Sequence, residues 1–169
     1  MWQHTGKKRP DFADEPGPGQ ESVWDYPRPP AVREERRRIR IVADGEVLAD
    51  SKRALKVCET ASPPTFYLPP DDINMQLLIP ARGSSFCEWK GEARYWALAS
   101  SPDLPIGWNY PSPSALFSAG ANNLSFYPGR VACEIDGERV RPQPGGFYGG
   151  WITDDVAGPF KGEPGTNHW

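Results

Sequence analysis

Arg38-Ile39-Arg40-Ile41-Val42-Ala43-Asp44-Gly45-Glu46-Val47-Leu48-Ala49 is the stretch whose reading decides the fold. Ile39 and Ile41 alternate with Arg38 and Arg40, the period of a half-buried strand. Asp44-Gly45 then supplies a two-residue turn, because both central positions of a type I′ turn need positive φ. Val47-Leu48-Ala49 returns as the second strand of a hairpin. Asp136-Gly137 repeats the signal after a second apolar strand, Val131 to Ile135. Thr65 to Leu68, Phe86 to Trp89, Arg94 to Leu98 and Leu124 to Tyr127 read as further strands. Leu55, Val57 and Glu59 share one face of another, with Lys56, Cys58 and Thr60 on the opposite face. Strands at this spacing, separated by Pro and Gly, predict a mainly β, antiparallel fold. The run from Ile73 to Ile79 is open between a short helix and a strand, and Pro80 ends it.

Six anchors recur in the same order across the chain. Trp24-Asp25-Tyr26-Pro27, Asp44-Gly45-Glu46, Phe66-Tyr67, Asp71-Asp72, Trp89-Lys90-Gly91-Glu92 and Trp96 form the first set. Trp108-Asn109-Tyr110-Pro111, Asp136-Gly137-Glu138, Phe147-Tyr148, Asp154-Asp155, Phe160-Lys161-Gly162-Glu163 and Trp169 form the second. The kept order predicts an internal duplication with a shortened second half.

The 169 residues include 20 Pro and 17 Gly, which disfavour long helices, and 20 large aromatics that can fill a core (7 Trp, 6 Tyr and 7 Phe). Residues 1–20 are polar and Pro/Gly-rich and are expected to form a mobile tail. Residues 21–169 are expected to form one β domain, with 141–169 as a Pro/Gly-rich arm packed on it. A net charge of −3 exerts no global pull on nucleic acid or on an anionic membrane. Arg33 to Arg40 holds five Arg and two Glu. It reads as a charged strand that discourages edge pairing rather than as a nucleic-acid contact. The N-terminus has no apolar core of a signal peptide, and no apolar run is long enough to span a membrane. Cys58, Cys87 and Cys133 form no C-x-x-C pair, which points to reduced thiols and the cytoplasm.

The block Glu59-Thr60-Ala61-Ser62-Pro63-Pro64-Thr65-Phe66-Tyr67-Leu68-Pro69-Pro70-Asp71-Asp72 carries a family resemblance. So do Phe86-Cys87-Glu88-Trp89-Lys90-Gly91-Glu92-Ala93-Arg94-Tyr95-Trp96, Trp108-Asn109-Tyr110-Pro111 and Phe126-Tyr127-Pro128. Over about 36–136 the chain resembles the family called domain of unknown function 427, and its flanks resemble a longer bacterial form. The resemblance implies a small β fold of the tent or Mss4-like kind, or a barrel-like relative, with little helix. It also carries a nucleotidyltransferase-like label. The common fold of such transferases wants a Gly-Ser turn followed by two carboxylates one residue apart, to hold magnesium. Gly83-Ser84 is present, but no Asp-x-Asp follows it.

Glu59 and Lys90 are the expected catalytic or charge-bearing pair, Glu59 on an otherwise apolar strand face and Lys90 on a glycine turn. Tyr67, Tyr95, Trp96, Trp108, Tyr110 and Tyr127 are the expected walls of a ligand cavity, with Cys87 beside Lys90. Lys161-Gly162 repeats Lys90-Gly91 and reads as a structural turn. No metal or cofactor is expected, since His4 and His168 lie in the tails and no knuckle of cysteines exists. The sequence thus points to metal-independent binding of, or catalysis on, a small polar ligand. The alternatives are a non-catalytic interaction module and nucleotidyl transfer. The sequence sets neither the ligand nor the oligomeric state.

Overall fold

The computed structural model describes residues 1–169. The fold is mainly β, with several antiparallel sheets, little helix and no closed barrel. In chain order the strands are β1 (Glu21–Ser22), β2 (Ala31–Glu35), β3 (Ile39–Ala43), β4 (Glu46–Ser51), β5 (Ala54–Cys58), β6 (Thr65–Tyr67), β7 (Leu78–Cys87) and β8 (Gly91–Leu98). β9 (Pro105–Asn109), β10 (Leu124–Phe126), β11 (Ala132–Ile135), β12 (Glu138–Arg139), β13 (Arg141–Pro142), β14 (Trp151–Ile152) and β15 (Val156–Ala157) complete the set. Helix is confined to four short 3-10 segments. None is long and apolar enough to cross a membrane. The open run from Ile73 splits into a 3-10 turn at Met75–Leu77 and the start of β7.

Three sheets build the body. One has the order β12-β11-β3-β4. Asp44-Gly45 and Asp136-Gly137 close its two hairpins with positive φ at all four residues, as the type I′ reading requires. β3 and β11 pair directly, so the two turns serve one sheet. A second sheet, β2-β5-β6, and a third, β10-β9-β8-β7, are joined by a bridge from Leu68 to Leu124. β2 and β9 were not legible as strands, because prolines flank or begin them. Beyond the turns, two of the recurring anchors differ in setting. Phe66-Tyr67 is buried in β6, whereas Phe147-Tyr148 lies exposed in a loop. Lys90-Gly91 joins β7 to β8, and Lys161-Gly162 joins no strand pair of that kind.

Period-two alternation sorts the side chains into layers. Phe66 on β6, Ile106 on β9, and Leu124 and Phe126 on β10 face the main core with Ile39, Ile41, Leu48 and Trp151. Tyr67, next to Phe66 on β6, faces the other way, and a bulge at Ile106 on β9 turns Trp108 to the same side, with Val57, Ala93, Tyr110 and Phe117. A third cluster joins the two ends of the chain. Val23, Trp24 and Tyr26 pack with Cys58, Ala61 and Val156, and Phe160 and Trp169 cover them. Residues 1–20, expected as a mobile tail, lie against this cluster. Phe12 stacks on Trp169 at 5.1 Å, and Arg9 makes a two-bond ion pair with Asp25.

The C-terminal arm carries structural weight. Trp151 is fully buried in the main core, and its indole donates to the Phe126 carbonyl at 2.9 Å. Losing a buried Trp side chain costs about 3–5 kcal/mol, a large part of the ~5–15 kcal/mol that holds a domain. Deleting the chain after Arg141 also removes Val156, Phe160 and Trp169. The truncated protein is expected to be unfolded or aggregated by circular dichroism and sedimentation. A soluble product with an unchanged Tm would show the arm to be dispensable.

Candidate functional site

The aromatic layer between the second and third sheets does not close. It leaves a cavity of about 310 Å³. β5 contributes Val57 and, one step beyond its end, Glu59. β6 contributes Tyr67, β8 contributes Ala93 and Tyr95, and β9 with its following turn contributes Trp108 and Tyr110. Tyr127 follows β10, and Cys87, Trp89 and Lys90 come from the end of β7 and its turn. Eight of the nine expected site residues therefore line one cavity: Glu59, Tyr67, Cys87, Lys90, Tyr95, Trp108, Tyr110 and Tyr127.

Trp96 does not. It follows Tyr95 on β8, and consecutive strand residues face opposite sides of the sheet. Its ring leans on the main core and its indole donates to Asn109 Oδ1 at 3.1 Å. The alternation makes Tyr95 and Trp96 mutually exclusive as walls of one cavity.

Hydrogen bonds hold the walls in place. The Trp108 indole donates to Tyr67 Oη at 3.2 Å, and the Tyr95 hydroxyl donates to Ser85 Oγ at 2.7 Å. The Trp108 and Tyr127 rings lie 4.7 Å apart. The turn Glu88-Trp89-Lys90 is fixed by Ser114, whose hydroxyl donates to the Trp89 carbonyl and whose N–H donates to the Lys90 carbonyl. The Trp89 indole N–H is buried with no acceptor in the protein.

Glu59 and Lys90 share the cavity but form no ion pair, contrary to expectation. Glu59 pairs with Arg28 at 3.1 Å. β2 runs antiparallel to β5 with Ala31 opposite Cys58, so the chain entering β2 passes beside Glu59. The Arg28 side chain is only 1% exposed. It also donates to the carbonyls of His4 at 2.9 Å and Trp169 at 2.7 Å, and its guanidinium stacks 3.9 Å from the Trp2 ring. One guanidinium thus ties both chain arms to the cavity rim. Trp2 becomes part of the wall and donates to Glu88 Oε1 at 3.1 Å.

Lys90 is 9% exposed, with its ammonium 5.7 Å from the Tyr110 ring centre and no carboxylate in ion-pair contact. Burial favours its neutral form, but the facing Tyr67, Cys87 and Glu59 outweigh burial and hold its pKa above the ordinary lysine value. Lys161 was read as a structural turn, and the structure puts it in the same wall at 5% exposure. Its ammonium lies 4.9 Å from the Trp2 ring centre and 5.3 Å from that of Tyr148. Burial and then Arg28 push its pKa down, and Glu59 and Glu88 offset this only in part. Gly162 holds the turn: its φ is +137°, and a Cβ there would collide with the Pro144 carbonyl. The recurring Lys-Gly pair was the available signal for Lys161, since each copy sets a lysine on the cavity wall.

Most of the basic stretch is spent on ion pairs. Arg33, Arg36, Arg37 and Arg38, four of the five arginines of the basic stretch, each pair with an Asp or Glu. No three His, Cys, Asp or Glu side chains come together to hold a metal ion. His4 packs edge-on against Trp24. Cys58 and Cys133 are buried, whereas Cys87 is half-buried on the cavity wall.

Residues 31–137 match the family described as Domain of unknown function (DUF427), labelled NTP_transf_9. The match spans more than half of the chain, and the protein belongs to this family. No curated protein matches the chain. Lys90 and most of the aromatic wall fall inside the matched segment, whereas Trp2, Arg28, Tyr148 and Lys161 come from the flanking arms.

Two outcomes are expected. Arg28→Met leaves Glu59 unpaired and two carbonyls without their donor, so it should lower stability by about 3 kcal/mol in urea unfolding. An unchanged midpoint would show the clamp to be ornamental. The second concerns alkaline pH. Burial raises Cys58 and Cys133 above their ordinary 9.0, and Tyr26, Tyr110 and Tyr127 above 10.0, Tyr127 to about 12. The unfolded chain releases these protons first, so the folded state binds more protons above about pH 9 and stability falls as pH rises. Lys161, shifted down, acts in the opposite sense, but Lys90 and Tyr148, both shifted up, act with the other five. The urea midpoint should drop between about pH 8 and about pH 10.5; a flat or rising profile would contradict the burial of these groups.

Proposed function

We propose that the cavity binds a small polar ligand carrying an anionic group, without a metal ion. Lys90 and Lys161 receive the anion, and the Tyr95, Trp108 and Tyr110 rings hold a flat or apolar face of the ligand. One observation carries this reading: two buried lysines line a single cavity, and neither has a carboxylate partner. A buried ammonium is expensive unless something compensates it; neighbouring groups offset burial at Lys90 but only in part at Lys161, and the open face of the cavity is where the rest can come from. Aromatic walls with a few convergent polar groups are the usual make-up of small-molecule sites.

Glu59, already neutralised by Arg28, serves in this reading as a positioning residue rather than a free base. Cys87 and Tyr67 beside Lys90 leave room for chemistry on the ligand, so catalysis stays within the proposal. The three free thiols fit a reducing compartment, in keeping with a cytoplasmic setting.

A second reading, a protein-interaction module, draws on Phe86 and Phe147, which are 78% and 70% exposed at the cavity mouth. The deep placement of Lys90 favours the ligand site over it. Nucleotidyl transfer, suggested by the family label, finds less support. Gly83-Ser84 lies within β7, and the carboxylates that follow it, Glu88 and Glu92, are four residues apart rather than two.

A thermal-shift screen of organic acids, sugar phosphates and nucleotides, each with and without magnesium, tests the three readings. At about 100 times its Kd, a bound ligand adds about 2.7 kcal/mol, or roughly 5–10 °C in Tm for a chain of this size. Organic anions should give such a shift, and Lys90→Gln should weaken binding by about tenfold or more. A screen with no hit at millimolar concentration would sink the ligand site. A response confined to nucleoside triphosphates with magnesium would favour the transferase label instead.

A further inference from the structure

A smaller chamber of about 230 Å³ lies beside the main cavity. Tyr95, Tyr127 and Phe147 line both, so the two chambers share a wall. Arg82 and Arg130 line only the smaller one. Arg82 sits in an irregularity of β7, where Ala81, Arg82 and Gly83 stand opposite Tyr95 alone on β8. Extra residues of this kind bend a strand and re-aim its side chains, and they are frequent beside active sites. Arg130 is held over the Tyr127 ring at 4.3 Å and donates to the Pro105 carbonyl. That contact fixes the guanidinium and uses one of its five N–H donors.

Neither arginine has a carboxylate partner, a state they share with Arg40 and Arg139, but only these two line either chamber. No acidic residue lines the smaller chamber. The adjacent chambers therefore each carry cations with no carboxylate in ion-pair contact, Lys90 and Lys161 in one and Arg82 and Arg130 in the other, with Tyr95 and Tyr127 common to both. Guanidinium groups match the planar geometry of carboxylate and the oxygens of phosphate.

We propose that Arg82 and Arg130 form an outer anion subsite and that the natural ligand is a diacid. One anionic group meets the two lysines. A flat body lies along the faces of Tyr95 and Tyr127. A second carboxylate or phosphate meets the two arginines. This rests on the reading of the main cavity as a ligand site, and the test separates the two.

The probes are benzoate and biphenylcarboxylate as monoacids, terephthalate and biphenyldicarboxylate as matched diacids, and carboxyphenyl phosphate. Each is titrated calorimetrically into the full-length protein. At least one dicarboxylate or the phosphate should bind about tenfold tighter than its monoacid, and the better second group assigns carboxylate or phosphate to the outer subsite. Arg82→Gln/Arg130→Gln should erase that gain and leave monoacid binding unchanged. Both arginines are exposed, so this variant is expected to keep the parent Tm, and Arg82→Lys/Arg130→Lys should restore part of the gain if charge is the cause. Monoacids that bind, with diacids no tighter, would overturn the subsite alone. A diacid advantage that survives the double Gln variant would also overturn it. Failure of every probe to bind would overturn the main-cavity reading and the subsite with it.

Discussion

Alternation of side chains along the joined second and third sheets is the constraint on which the rest depends. Phe66 and Tyr67 are neighbours on β6 and must point to opposite faces, as must Tyr95 and Trp96 on β8. The apolar member of the first pair completes the main core with Ile106, Leu124 and Phe126. The tyrosine is left to face the other layer, where Trp108, Tyr110 and Phe117 meet it edge-on or tilted at 4.9–6.2 Å. Large rings in such contacts fill space incompletely, and the space left over is the cavity. Packing of the core and existence of the cavity are thus two faces of the same strands.

The chain arms then add walls to an open groove. Arg28 does this with one guanidinium that reaches Glu59, His4 and Trp169 and stacks on Trp2. A buried guanidinium with three oxygen acceptors is well compensated. The same docking brings Lys161 in from the far end of the chain, so that the site is part family segment and part flank.

Charge is distributed unevenly, and the unevenness is informative. Arg33 on β2, Arg38 just before β3 and Arg53 just before β5 are neutralised by nearby Asp and Glu, and exposed pairs of this kind contribute little to stability. The cations that lack such partners include those on the cavity walls. Burial pushes both lysines down; Tyr67, Cys87 and Glu59 reverse this at Lys90, whereas Arg28 adds to it at Lys161. Two lysines with the same local motif therefore face the same space with different proton affinities.

Much of this was legible in the residues. The alternation around Ile39 and Ile41, the two Asp-Gly turns and the proline-bounded aromatic strands define a mainly β chain through local geometry, which needs no knowledge of partners. The same local rules put Tyr67, Tyr95, Trp108, Tyr110 and Tyr127 on strands or at their ends and singled out Glu59 and Lys90 as polar residues in apolar settings. Trp96 was avoidable as a wall residue, since alternation alone opposes it to Tyr95. What local rules could not supply was pairing across distance. Arg28 meets Glu59 only because β2 aligns with β5, Lys161 meets the cavity only because the C-terminal arm folds back, and Phe147 is exposed where Phe66 is buried although their dipeptides are identical. Strand register and arm docking depend on the summed burial of residues far apart in the chain, and that sum exists only in the folded structure.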